Sequence, residues 1–125
     1  MLQWGRLVRA AVEQGLCAER LPVLLGSDHS LAIGSISVGG RRCGETDRKL
    51  WVLWLNAHAD FDTGRLSPSR TLHGRPVACL CGSGPKALVE FGGATPGIHP
   101  QWLRQSGVRS AEEGEKWFCT GSRSE

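Results

Sequence analysis

The 125 residues hold no CxxC pair, no basic run of five, no internal repeat and no apolar run of transmembrane length. Each absence removes a class of protein. Five cysteines (Cys17, Cys43, Cys79, Cys81 and Cys119) make an odd set without zinc-ribbon spacing. A disulfide scaffold would not need this much aliphatic core. Cys79 and Cys81 stand two apart in "VACLCG", an apolar context that suits small buried thiols. Aromatic residues do not interleave with basic ones as they do on a nucleic-acid surface, so no nucleic-acid partner is expected. The formal charge of +3 is mild although arginine greatly outnumbers lysine, and the Arg41–Arg42 pair reads as a solvated basic loop. The opening stretch "MLQWGRLVRAAVEQG" is too polar for a signal peptide's apolar region. A cytoplasmic chain with no membrane partner is the expectation.

What is present is ordinary globular composition, with 40% hydrophobic and 22% charged residues. The length allows one domain or a piece of one, and nothing marks a boundary within 1–125. Trp4, Leu7, Val8, Ala11 and Val12 recur at helical spacing, an amphipathic helix weakened by Gly5 and stopped near Gly15. "LPVLLG" reads as a buried strand over 21–25, its proline sited where a strand tolerates one. "LAIGSISV" predicts a short helix packed by Leu31, Ile33 and Ile36, and "GGRRCGETDRK" a glycine-rich polar loop. "LWVLWL" is the clearest element, a central strand covered on both faces. Two such strands with a helix between them make a βαβ unit, with 21–25 and 50–55 adjacent and parallel.

Beyond that strand, "DTGRLSPSRTLHGRP" has the composition of a long surface loop. Pro76 can open a helix at its first position, and "GPKALVEFGG" predicts another short one. "WLRQSGVRS" predicts a third strand, and "SAEEGEKWF" a helix capped by Ser110 with an acidic first turn. The class is therefore α/β with a parallel sheet.

In open α/β sheets ligands bind beyond the carboxyl ends of the strands. Both strong strand candidates end there in metal-binding types: Asp28 and His29 after the first, Asn56, His58 and Asp60 after the second. With near-extended backbone, positions 56, 58 and 60 project to one side and Ala57 and Ala59 to the other. A mixed imidazole and carboxylate set suits manganese or zinc better than a thiolate site would. A lone histidine after a strand is ordinarily a hydrogen-bonded loop residue. From residue types alone, the metal site and the polar loop stand level.

The wording settles more than the types do. "LPVLLGSDHSLAIGSIS", "VLWLNAHADFDT", "LHGRPVACLCG" and "GVRSAEEGEK" follow one another as in the ureohydrolase family, and the chain most resembles its bacterial arginase branch. The likeness is strongest over 21–116. "HGRPVACL" favours that branch over agmatinases and formimidoylglutamases. The resemblance implies a three-layer α/β enzyme that hydrolyses arginine to ornithine and urea at a binuclear manganese centre. Residue by residue, it makes His29 a ligand of one metal, His58 a ligand of the other, and Asp60 a ligand of the first. His73 matches the histidine that shuttles protons near the leaving amine. Asp62 and Ser69 fall where substrate is held. A homo-oligomer is compatible with that family.

Departures are equally specific. "NAHAD" puts Asn56 where the family has a metal-bridging aspartate, and a neutral amide is a weak partner for two close dications. "GSDHS" has Ser27 in place of a glycine. "DFDT" sets Asp62 where an amide would meet the substrate's carboxylate, and an acid there repels it. Arg70 and Thr71 are foreign to the family's SGN, although Ser69 remains. The second aspartate pair of the family lies downstream of Glu125, and an N-terminal portion is missing as well, so the resemblance implies a chain truncated at both ends. Two expectations follow: an arginase-type ureohydrolase inactive as an isolated chain, or a non-catalytic relic that binds a partner subunit.

Overall fold

The computed structural model describes residues 2–26, 28–61, 75–93 and 96–109. In chain order these form helix α1 (Leu2–Cys17), helix α2 (Leu31–Glu45), strand β1 (Val52–Leu55), helix α3 (Pro76–Leu80), helix α4 (Lys86–Val89), a 3-10 turn (Pro100–Trp102) and strand β2 (Leu103–Ser106). The expected helix 110–118 and the loop 62–74 lie outside the described residues.

β1 and β2 pair in parallel, with Val52 opposite Leu103 and Leu55 opposite Ser106. α3 and α4 fall between them in the chain, so this is a βαβ unit. Its members differ from those expected. Residues 21–26 form no strand, and the described strand paired with β1 is β2. A strand exists only through its ladder of backbone hydrogen bonds, and apolar composition does not say where the partner lies. Leu21, Val23 and Leu25 are 88%, 76% and 90% exposed. Pro22 and Leu24 line an open cleft of about 390 Å³ together with Leu50, Trp51, Val52 and Leu53. That gap is why 21–26 does not reach β1.

β1 is also less covered than a central strand should be. Trp54 points into the core, while Trp51, Leu53 and Leu55 remain exposed. The core gathers Trp54, Phe61, Val77, Leu80, Ile98 and Leu103, with Ala32 and Ile36 of α2 packed against it. Pro76 opens α3, whose five residues are all buried.

The glycine-rich stretch 39–45 is the other correction, because it is helix rather than loop. Its glycines serve close packing. A Cβ on Gly40 would sit 1.9 Å from the Gly97 carbonyl oxygen, and one on Gly34 would sit 2.9 Å from the Gly5 carbonyl oxygen. Arg41, expected in a solvated loop, instead pairs with Glu13 and ties α2 to α1.

Cys79 is buried, Cys81 is partly buried, and both are free thiols. Loss of solvent raises both thiols; Arg75 partly offsets this at Cys79, and Cys81 is pushed up to about 12.

Candidate functional site

An open depression of about 520 Å³ lies at the carboxyl ends of both strands, lined by Leu55, Asn56, Ala57, Ser106, Gly107, Val108 and Arg109. Backbone bonds hold its two sides together: Asn56 N–H donates to Ser106 O at 3.1 Å and Arg109 N–H to Ala57 O at 2.8 Å. This is where a parallel sheet presents ligands.

Beside it, three chain segments meet on one carboxylate. Asp60 is buried, with only 6% of its side chain exposed, and its backbone is left-handed at φ 54°. Aspartate tolerates that conformation better than most residues. Its Oδ2 receives the Trp54 indole N–H at 3.1 Å, lies 2.8 Å from His29 Nδ1, and takes the Asn56 amide N–H. The Asn56 amide nitrogen also lies 3.3 Å from His29 Nδ1. His29 is placed by the turn that starts α2, where the Asp28 carboxylate accepts the Ser30 N–H at 2.6 Å. Its ring also meets Trp54 edge-on, with centroids 5.6 Å apart.

The structure therefore brings together His29, Asn56 and Asp60. His58 is exposed and takes no part in this network. Asp62, Ser69 and His73, together with Ser27, lie outside the described residues. The sequence reading missed Trp54, taken only as strand core. A signal was available, since a buried indole N–H needs an acceptor and Asp60 stands six residues on.

Parallel strands joined through helices, with a polar corner beyond their carboxyl ends, define an α/β protein of the open-sheet class. A model of the Arginase family matches residues 3–123, and the chain belongs to that family. It is 42% identical over 109 residues to the arginase of Bacillus caldovelox, covering 87% of this chain and 35% of that one. It is 38% identical to the arginase of Bacillus subtilis, covering 83% of this chain and 34% of the relative. The solved arginase of Bacillus caldovelox superposes with a TM-score of 0.86 at 39% identity, over 94% of this chain and 38% of that one. A crystal structure of Bacillus subtilis arginase gives 0.89 at 33% identity, over 97% and 40%. The chain thus spans about a third of the length of the curated relatives it matches. The arginase-like α/β fold and hydrolase ancestry read from the sequence both hold.

The donors present do not fit the manganese pair that the resemblance implies. Among the described residues no group of three His, Cys, Asp or Glu side chains could hold a metal ion. The buried carboxylate among the described residues, Asp60, has its Oδ2 turned to three nitrogen donors.

Proposed function

We propose that the chain carries part of an arginase-type site, inherited from an enzyme that hydrolyses arginine to ornithine and urea, and that the 125-residue chain does not itself turn arginine over. In this reading His29, His58 and Asp60 stand at ligand positions of a binuclear manganese centre, and His73 at the position of the proton shuttle. Asp62 and Ser69 stand at the family positions that hold the amino-acid end of the substrate. A cytoplasmic setting and assembly into a homo-oligomer belong to the same proposal.

The observation that carries the inactivity is the Asp60 corner. A hydroxide competent to attack a guanidinium carbon needs carboxylates free to hold two dications ~3.5–4 Å apart. Here the position of one bridging carboxylate is the amide of Asn56, and that amide donates to Asp60. His58 takes no part in the cluster.

The test is urea release from arginine by the pure 125-residue chain with manganese supplied. No urea above background is expected. Manganese-dependent release in proportion to protein would overturn the proposal.

A second reading, partner binding without catalysis, is favoured by one feature. Two apolar rows, Leu21–Val23–Leu25 and Trp51–Leu53–Leu55, are exposed on segments that flank the 390 Å³ cleft. Surfaces of that kind are ordinarily covered by something.

A further inference from the structure

We infer that Asn56 has taken over the cation's task at this corner, making the cluster His29–Trp54–Asn56–Asp60 a metal-independent latch that does not take up manganese. The inference rests on the family reading above, but concerns what this chain's own residues do instead.

A carboxylate buried as deeply as Asp60 must be compensated by a cation or by hydrogen-bond donors. In this chain donors suffice. Trp54, His29 and Asn56 all direct nitrogen toward Oδ2, so that oxygen, which a dication shared with residue 56 would need, is already taken by donors. An aspartate at 56 could not act this way, because an ionised pair of carboxylates repels and needs a cation or a shared proton between them. The amide reverses that logic, since it attracts Asp60 without any ion. Turning the amide so that its oxygen faced a metal would break its bond to Asp60, and would supply no charge in return.

The latch spans elements distant in the chain. His29 stands at the entrance to α2, Trp54 lies in β1, and the Asp60 carbonyl oxygen accepts the Ala78 N–H of α3 at 3.4 Å. The four side chains thereby pin the start of α2 to the end of β1, and the Asp60 backbone adds the tie to α3. A metal centre performs this cross-linking where it exists; here hydrogen bonds do.

The test uses manganese chloride as probe on the full 125-residue chain and on Asn56→Asp. Melting temperature is measured in chelator and in millimolar manganese, and free manganese is counted by its electron paramagnetic resonance signal. The natural chain should melt at the same temperature in both conditions and leave the free-ion signal undiminished. Asn56→Asp should melt lower in chelator and recover with manganese by on the order of 5 °C or more. A variant that folds only with manganese present supports the inference equally. If Asn56→Asp cannot be made at all, the free-ion signal with the natural chain decides. A natural chain stabilised by manganese, or one that depletes the free ion stoichiometrically, overturns the latch. So does an Asn56→Asp chain that melts like the natural one and ignores manganese. Manganese uptake without urea would sink this inference and leave the proposed inactivity standing, so the two failures are distinguishable.

Discussion

Residues 21–26 and β1 are made of the same material, yet only one of them is a strand. Both are short, leucine-rich and end in polar residues. β1 has β2 alongside and a tryptophan driven into the core; 21–26 faces a cleft and leaves Leu21, Val23 and Leu25 in solvent. Apolar content supplies a tendency to be buried. Only a partner with matching backbone groups turns that tendency into a sheet.

The contrast is tested most severely by removing one large side chain from each. Trp54→Ala takes away the buried ring and the donor to Asp60, and should cost about 3–5 kcal/mol, enough to abolish cooperative unfolding in a small chain. Leu25→Ala should change stability by no more than about 0.5 kcal/mol. Urea denaturation of both variants measures the difference. Equal losses would mean that 21–26 is packed after all.

A second pair of substitutions asks whether the packing behind β1 depends on close helix contact. Gly40→Ala drives a methyl into the Gly97 carbonyl, next to the core residue Ile98, and should cost about 1–3 kcal/mol. Gly44→Ala, in the same helix with nothing within 4 Å, should gain about 0.5–1 kcal/mol from helix propensity. Thermal melts of the two should shift in opposite directions.

The smallest effect concerns thiols. Cys17, on the loose side of the molecule, is exposed, whereas Cys79 and Cys81 belong to the packed side. At pH 8 a maleimide should label Cys17 well before either of the others, as mass mapping would show. Burial raises both packed thiols above the ordinary value of 9.0, Cys81 to about 12. The folded chain therefore holds those protons more tightly than the unfolded one. Their contribution is complete below pH 9 and declines as pH climbs toward 12. A melting temperature that rises over that range would contradict the assignment.

How much of this was legible beforehand follows from the same physics. β1, β2, α1, α3 and the α/β class were readable because periodicity and proline placement act locally. The fate of 21–26 was not, since it turns on a partner. The helix through Gly39–Gly40 was misread as loop because glycine has two uses, freedom and closeness, and only the Gly97 carbonyl tells which applies. At the candidate site, the types at 29, 56 and 60 were readable from motif order. The direction of the Asn56 amide and the arrival of Trp54 depend on tertiary geometry and were not.

The pairing of Val52 with Leu103 joins residues 51 apart in sequence, whereas α1 and α2 follow one another directly. Loop-closure entropy makes such a parallel pair slow to form. During synthesis and refolding, the pair α1 and α2 has time to assemble while β1 still waits for β2 with both edges open. In that interval a neighbouring chain at high concentration can add to β1 sooner than β2 arrives. The yield of folded protein should therefore fall with concentration through second-order competition, even where the finished fold is stable.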